Sequence, residues 1–473
     1  MNARKILICL LALCLILASL SACGDEHKTN NEGEQTTDAP VDTSPVEIED
    51  EGVDFWVKNN AGFEAAIEGA TTDFEIEAAN GSATILSYTG TQEHLIIPSA
   101  INGDPVAAIA DGAFAENLTL KTLVIPDSIT RIGAGILAGC ENLHSLQTPL
   151  MGADKEGTQY LGYLFGATTH EDNARDIPIS LKCLRLTGDW QALPAYSLFD
   201  CNDLICLSLP QNVTVIEKFA IYNGASLRQI DGLEKVITFG DRALMSCSDL
   251  QIVTLGNALQ TVGFGAFEGC TSIRAMTLPF VGRTHTENTY LGYVFGAAQP
   301  DFAKGFYPSN LERITLTDAC QTLGNYAFFE CDSLKEITLP DGLTSIGLRA
   351  FYGCLSLWSI AIPDSVTTIR DEAFFGCDAL TAVDFPNSLT SIGINVFYNC
   401  DSLQEIALPT SLKVLPASCF AGCVALKNID LGGVTEVGAQ AFRHCNAVLT
   451  VTSAEKVTFG EGNEHVKTVL NSK

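Results

Sequence analysis

A five-residue motif ending in cysteine recurs every 23 residues, and this repeat constrains the fold of the chain more than any other feature. Ala350-Phe-Tyr-Gly-Cys354, for example, is followed by Ala373-Phe-Phe-Gly-Cys377. A unit this short cannot bury a core alone, so each unit must stack on its neighbours. The pattern therefore predicts one continuous solenoid, although length alone would suggest about three domains. The motif positions are Asn117, Cys140, Cys201, Gly224, Cys247, Cys270, Cys331, Cys354, Cys377, Cys400, Cys423 and Cys445.

Between successive motifs lies a short apolar pattern typical of a strand. In Leu334-Lys-Glu-Ile337-Thr-Leu339-Pro340, we expect Ile337 and Leu339 to point inward and Thr338 outward, since successive side chains of a strand alternate between its faces. Pro340 has no amide hydrogen to donate to a sheet, so it ends the strand and turns the chain. Each repeat thus predicts one short strand followed by a turn.

The Leu334, Ile337 and Leu339 pattern resembles the L-x-x-L-x-L core of leucine-rich repeats. The detailed spacing over about residues 74 to 445 resembles the BspA-like, or Treponema-type, leucine-rich repeat family, in which Cys precedes the strand. The resemblance implies a right-handed repeat solenoid with mainly short parallel β-strands on its concave side. It also implies binding of host or neighbouring-cell proteins outside the cell. Phe351 is expected to fill the space between the two sides of a coil.

Thirteen regular repeats, together with a first strand near Leu95, predict fourteen stacked strands. At ~4.8 Å per strand, the stack would have an edge of roughly 60 Å.

Most coils have 23 residues, but two have 38, from Leu143 to Leu181 and from Ile273 to Leu311. Both long coils contain nearly the same eight-residue segment, here called the phrase: Tyr160-Leu-Gly-Tyr-Leu-Phe-Gly-Ala167 and Tyr290-Leu-Gly-Tyr-Val-Phe-Gly-Ala297. This repetition indicates that a block of the solenoid was duplicated. The phrase is apolar and must be buried, so we expect it to pack against the side of the solenoid. The alternative is a binding protrusion built from residues 151–177 and 281–307.

The beginning of the chain is typical of an export signal. Arg4 and Lys5 precede an apolar run over residues 6–17, which is too short to span a membrane comfortably. Leu20-Ser-Ala-Cys23 resembles a bacterial lipobox, which implies cleavage before Cys23 and a diacylglycerol on its sulfur. We assign residues 1–22 to a lipoprotein signal peptide and residues 23–54 to the acylated Cys and an acidic disordered linker. A secreted protein without the lipid is the alternative.

Both ends of a solenoid need covers, because an end coil lacks one neighbour. Asn80-Gly81 separates two alternating runs within residues 74–88, which predicts a β-hairpin. We assign residues 55–98 to an N-terminal cap with this hairpin, 99–445 to the solenoid and 446–473 to a C-terminal cap. Within the first cap, residues 63–68 are compatible with a short helix.

The cysteines and histidines do not form a recognisable catalytic or metal-binding motif. Ten of the 17 cysteines occupy the repeat position, where Cys acts as a small buried apolar residue. Cys419 stands where other repeats have Ala, so we also expect it in the core. We expect free thiols in this ladder, no catalytic residues, no metal and no cofactor. A catalytic pair of nucleophile and base, such as Cys140 with His144, is the alternative.

The net charge of −29 argues against nucleic acid as a partner, because phosphate binding needs clustered Lys and Arg. The outward strand positions differ from the rest of the chain. They hold eight basic residues against the acids Asp231, Glu312, Glu336, Asp384, Glu405 and Asp430, a local excess of two positive charges. Such contrast orients charged partners, although parallel strands also avoid stacking like charges. The candidate ligand-binding residues are Lys121, Lys182, Arg185, Arg228, Arg274, Arg313, Lys335 and Trp358, and Lys427 completes the basic set.

These features favour a lipid-anchored protein on the outer face of a bacterial membrane or cell surface, mediating protein binding or adhesion without catalysis. Its partner would be an extracellular protein, from host matrix or a neighbouring cell, or an envelope component. A structural envelope lipoprotein is the alternative. A hydrolase that uses the long-coil loops is a third hypothesis, which lacks any set of catalytic groups.

Overall fold

The computed structural model describes residues 61–446, 449–453, 456–464 and 466–470. The predicted signal peptide, Cys23 and the acidic linker lie outside the described residues. Within these ranges, no helix has both the length and the apolar character needed to cross a membrane.

One face of the solenoid is built from short parallel strands, here called the front strands. Their register follows the repeat, so that Leu184 lies between Leu146 and Leu207 of the adjacent coils. Pairing is interrupted at three places in the described chain, after Asp231, after Thr338 and after Asp384. The front strands are Ile67–Glu68, His94–Ile96, Thr122–Val124, Ser145–Thr148, Cys183–Leu186, Cys206–Ser208, Gln229–Asp231, Ile252–Thr254, Ala275–Leu278, Arg313–Leu316, Glu336–Thr338, Ser359–Ala361, Ala382–Asp384, Glu405–Ala407, Asn428–Asp430, Thr450–Ser453 and Lys467–Leu470.

The predicted number of fourteen front strands is wrong, because the described residues contain seventeen. Ile67–Glu68 precedes the first expected strand, and Thr450–Ser453 and Lys467–Leu470 follow the last. Thr450–Ser453 follows the last cysteine motif, which ends at Cys445, whereas no such motif precedes Lys467–Leu470. That motif belongs to a turn, whereas alternating buried residues such as Leu449 and Val451 are sufficient to form a strand.

The opposite side of each coil carries a second set of strands, here called the back strands. They pair in parallel from coil to coil, as Ile346 does with Leu323 and Ile369. Ala100–Ile101 folds antiparallel onto one of them. The back strands are Phe74–Ala79, Ser82–Tyr88, Asp104–Ile109, Arg131–Ile132, Ala192–Leu193, Val215–Ile216, Thr238–Phe239, Thr261–Val262, Thr322–Leu323, Ser345–Ile346, Thr368–Ile369, Ser391–Ile392, Val414–Leu415, Glu436–Val437 and Thr458–Phe459.

The space between the two strand sets is a continuous apolar core. Its centre is a column of fully buried rings, Phe328, Phe351, Phe374, Phe397 and Phe420, with successive ring centroids 5.1–5.3 Å apart. Burial of Phe351 between the two sides confirms the expected role of the aromatic residue. The repeat therefore folds as one solenoid with one core.

The predicted hairpin near the beginning of the chain is confirmed. Phe74–Ala79 pairs antiparallel with Ser82–Tyr88, and Asn80 and Gly81 both have positive φ in the two-residue turn. This backbone conformation favours Asn and Gly over other residues. Ser82–Tyr88 then pairs in parallel with Asp104–Ile109, so the hairpin continues the back sheet at its first coil.

The apolar phrase of the first long coil is buried, as expected, but the expectation that it packs against the side of the solenoid is wrong. Leu161–Phe165 forms a 3-10 turn within the coil stack. The amide of Leu137 donates to the carbonyl of Leu164, and the amide of Leu161 donates to the carbonyl of Ser197. Because its backbone groups are paired on both sides, the phrase is itself a turn of the solenoid.

The second phrase has the same arrangement. In Leu291–Phe295, the carbonyl of Val294 accepts from Phe267, and the amide of Leu291 donates to Ala327. Both long coils therefore keep the stack continuous, and their extra residues form loops and short helices outside it. The remaining helical segments are residues 61–64, Thr71–Asp73, His170–Asp172, Asn173–Asp176, Leu233–Lys235 and Pro300–Gly305.

Candidate binding face and groove

Each front strand presents outward side chains at the same three positions of its coil. Four of the predicted basic residues are paired with acids on neighbouring coils, at distances between 2.7 and 3.2 Å. The pairs are Lys121–Glu93, Lys182–Asp203, Arg313–Glu336 and Lys335–Glu312. Pairs on a protein surface contribute little to stability, but they neutralise one another. The front face is therefore not a continuous basic stripe.

The N-terminal segment covers part of the front face. The guanidinium carbon of Arg185 lies 4.2 Å from the ring centroid of Phe63. A side chain at Gly62 would overlap the hydroxyl of Thr122, which is 1% exposed. Ser145, on the next coil, is fully buried. The candidate residue Arg185 is thus engaged within the protein, and burial lowers the pKa of its guanidinium while the charge of Asp231 partly offsets this.

A disulfide lies on the same part of the face. Cys183 and Cys206 occupy equivalent outward positions of adjacent strands, with their Cα atoms 4.9 Å apart. Both residues are buried. The sequence predictions did not include this bond, because they considered only the cysteines of the motif. The signal was present, since two cysteines 23 residues apart in a solenoid of 23-residue coils must be neighbours.

Further along the face, the front strands line a groove of about 490 Å³. Arg228, Gln251 and Arg274 line it from equivalent positions just before the front strands of three successive coils. Asp231, at the end of its strand, and Glu234, in the turn that follows, also line the groove, and Ser208, Leu209, Gln211, Gln229, Ile230, Gly232, Ile252 and Thr254 complete the lining. We call this feature the front groove. The structure thus brings together two of the predicted basic residues, Arg228 and Arg274.

The front groove coincides with a departure from the repeat. Many coils continue from the front strand into a large apolar residue followed by Pro, as in Leu339-Pro340 and Ile362-Pro363, but this coil has Gly232-Leu233. Gly232 has φ of 98°, and a Cβ there would lie 3.0 Å from the Cβ of Leu209. The Leu-to-Gly change removes one inward side chain, and Leu233–Lys235 forms a 3-10 turn in place of the Pro. This irregularity is visible in the sequence, although no prediction was based on it.

The charged groups of the front groove differ in exposure. Arg228 is exposed, whereas Arg274 is half-buried and its Nε atom is buried without a hydrogen-bond partner among the described residues. Burial raises the pKa of Asp231, and the nearby charge of Glu234 adds to this effect. A hydrogen bond of 2.8 Å from the Gln229 amide group opposes it. The Nε of Arg274 is therefore a donor in the groove that an acidic group of a ligand would satisfy.

The other candidates lie outside the front groove. Trp358 is half-buried on a later coil, and its carbonyl accepts hydrogen bonds from the amide and the hydroxyl of Thr381. Lys427 is exposed near the far end of the described solenoid. The predicted face is therefore spread along the whole stack, and its middle part forms a depression with basic residues.

The second long coil has a separate pocket of about 410 Å³ that includes Phe280, His285, Thr289 and Gln321. The rings of Phe280 and His285 are 4.7 Å apart. In the first long coil, the Gln159 side chain instead accepts a hydrogen bond from the Met151 amide. The two loops therefore differ in structure despite the shared phrase.

The motif cysteines are free, and all of them except the half-buried Cys445 are buried. In Cys354, the thiol donates to the carbonyl of Phe328 at 3.2 Å, and burial raises the thiol pKa well above its ordinary value. Cys140 donates to the Phe114 carbonyl, whereas His144 contacts the Ser145 hydroxyl, so neither residue is bonded to the other. Burial and the charge of Lys182 lower the pKa of His144. Among the described residues, no group of three or more His, Cys, Asp or Glu could hold a metal ion.

Comparison with known proteins gives a family match. The model described as "BspA type Leucine rich repeat region" matches in six copies, at residues 92–153, 178–290, 303–369 and 344–463. A search of curated proteins found no match. The matched ranges together span well over half of the chain.

Several solved structures are similar to the chain. A leucine-rich cell surface protein from Faecalibacterium prausnitzii is 24% identical over 76% of this chain and 92% of its own, with a TM-score of 0.30. A leucine-rich repeat protein from Bacteroides ovatus is 19% identical over 84% and 98%, with a TM-score of 0.33. The pneumococcal vaccine antigen PcpA is 17% identical over 85% and 97%, with a TM-score of 0.34.

Proposed function

Because the chain belongs to the BspA-type leucine-rich repeat family, we propose that it is an exported, lipid-anchored surface protein that binds other proteins through its front face and catalyses no reaction. The front groove is the observation that carries this proposal. It is the place where two predicted basic side chains, Arg228 and Arg274, line an open depression. Leucine-rich repeats offer extended surfaces for protein partners.

The partner in this proposal is an extracellular protein, from host matrix or from a neighbouring cell, and the role is adhesion. The strongly negative net charge of −29 makes a polyanion an unsuitable partner for the rest of the surface. A structural role in the envelope is the alternative outcome of the binding test.

The lipid anchor is the first part of the proposal to be tested. Replacing Cys23 by Ser removes the only thiol of the lipobox, so we expect the protein to move from the membrane pellet to the soluble fraction. Cell fractionation followed by immunoblotting measures this shift. The control is Cys14→Ser, which changes another signal-peptide cysteine and should leave the protein in the pellet. A Cys23→Ser protein that stays in the pellet would contradict the anchor.

Binding is tested with the mature lipoprotein on intact cells. We expect cells that display it to bind at least one member of a panel of purified extracellular-matrix proteins, with at least about 10-fold higher affinity than cells lacking it. Binding should weaken with added salt, because the front groove is charged. If chemical crosslinking on those cells captures only envelope proteins, and no matrix protein binds, the adhesion role is wrong and the envelope role replaces it.

A further inference from the structure

The lining of the front groove carries opposite charges at the two ends of its strands, with an apolar residue between them. Arg228 and Arg274 precede their strands, whereas Asp231 ends one and Glu234 lies in the turn that follows it. Ile252 lies between them on the middle strand and is 43% exposed, although it is a large apolar residue. A ligand that satisfies all three features must itself be positive at one end, apolar in the middle and negative at the other.

The dimensions of the front groove match an extended peptide. Arg228 and Asp231 are three residues apart on one strand, which corresponds to about 10 Å. Arg228 and Arg274 are two coils apart, again about 10 Å. In an extended peptide, side chains at alternate positions share a face, and three such side chains span roughly 13 Å. With flexible charged side chains at its ends, that length reaches both the basic and the acidic residues of the groove while the central side chain contacts Ile252.

We propose that the front groove binds an extended peptide segment of a partner protein in which an acidic, an apolar and a basic residue occupy alternate positions. The acidic residue pairs with Arg228 and Arg274, the apolar residue contacts Ile252, and the basic residue pairs with Asp231 and Glu234. This inference rests on the proposed function, because it names the kind of segment that the front face recognises.

The charges of the groove favour such a segment over a simple anion. A polyanion would meet Asp231 and Glu234 directly, and like charges at close range weaken binding. Asp231 is half-buried next to Glu234, and the raised pKa of its carboxyl reflects the cost of holding a charge there. A basic side chain of the ligand relieves that cost, as Arg bound to a carboxylate does in other proteins. The buried Nε of Arg274 has a hydrogen to donate and no acceptor within the described residues.

The first arm of the test compares three labelled peptides on the mature lipoprotein in detergent micelles, by fluorescence anisotropy. The probe is Ser-Glu-Ser-Leu-Ser-Lys-Ser, and two matched peptides replace its Leu by Ser or its Lys by Glu. We expect each replacement to weaken binding by at least about 10-fold. Equal binding of the three peptides, or no binding of any at millimolar concentration, overturns the proposal.

The second arm changes the protein. Arg228→Glu with Arg274→Glu should abolish binding of the probe, while the far-ultraviolet circular dichroism spectrum stays that of the folded parent. The matched control, Lys155→Glu with Lys427→Glu, alters the net charge equally at exposed sites outside the groove and should bind as the parent does. Asp231→Asn with Glu234→Gln should restore binding of the peptide that carries two Glu residues.

The two proposals fail in different ways. If the Arg228→Glu and Arg274→Glu protein binds a matrix protein as tightly as the parent, protein binding stands and the groove assignment is wrong. If the parent binds the probe peptide but no matrix or neighbouring-cell protein, the groove assignment stands and the adhesion role is wrong.

Discussion

Replacing Phe374 by Ala is expected to lower the free energy of unfolding by ~3–5 kcal/mol, the range for large-to-small changes at buried aromatic positions. The ring is fully buried and lies between Phe351 and Phe397, with centroids 5.1 and 5.2 Å away. Its removal leaves a cavity between two coils, and both neighbouring rings lose a stacking partner. Denaturant unfolding followed by far-ultraviolet circular dichroism measures the change.

Phe375, the next residue, provides a matched control. Its ring stacks 4.7 Å from Tyr352 and 4.8 Å from Tyr398, but it is half-exposed on the outside of the turn. Phe375→Ala removes an equal number of atoms and two aromatic contacts, yet leaves no closed cavity, so we expect a loss of about 1–2 kcal/mol. If both substitutions cost the same, the inner ring column is not the main source of coil-to-coil stability.

The motif cysteines of the native protein are expected to resist alkylation almost completely. The described residues hold twelve free cysteines and the Cys183–Cys206 disulfide. Burial raises the thiol pKa from its ordinary value of 9.0 to about 11 in Cys140 and to about 12 in Cys331. A rise of two units leaves about 100-fold less of the reactive thiolate at a pH below both values.

Mass spectrometry after iodoacetamide treatment at pH 8 gives the measurement. We expect fewer than two adducts on the native mature protein, twelve after denaturation, and fourteen after denaturation with reduction. Cys445 should react first, because it is the only free cysteine of the described chain that is not fully buried. Rapid labelling of several motif cysteines in the native state would show that the ladder is accessible and overturn this expectation.

These thiols also set a direction for the pH dependence of stability. The folded pKa values of Cys140 and Cys331 are raised above 9.0, so above that pH the folded protein keeps protons that the unfolded chain releases. The contribution of these two thiols to stability is therefore complete below about pH 9 and is lost as the pH rises towards their folded pKa values of about 11 and about 12.

The sequence predicts the regular part of this structure well, because each coil is specified by its own residues and its neighbours. Leu334, Ile337 and Leu339 place a strand in any coil that carries their pattern. Asn80-Gly81 likewise fixes its hairpin locally, through the positive φ of both residues. Such features depend on short-range preferences, and they were confirmed.

Features that depend on a departure from the repeat were missed. Gly232 interrupts the Leu-Pro pattern, but only the packed coils show that the result is a groove beside Arg228. Phe63 reaches Arg185 over a separation of more than a hundred residues, which no local pattern encodes. The long-coil phrases were misplaced because an insertion of apolar residues can lie beside a stack or within it. Only the backbone pairing of Leu161 and Leu164 decides between these positions.

The parallel arrangement of the strands also determines how this protein would carry a load. Hydrogen bonds between strands run from coil to coil, so a pull along the stack acts along these bonds, and coils can separate singly from an end instead of being sheared many together. A coil of 23 residues that peels away lengthens the chain by roughly 70 Å, since an extended residue spans about 3.4 Å and a stacked coil only about 4.8 Å. Under load, the solenoid would therefore lengthen by one coil at a time between the two points at which it is held.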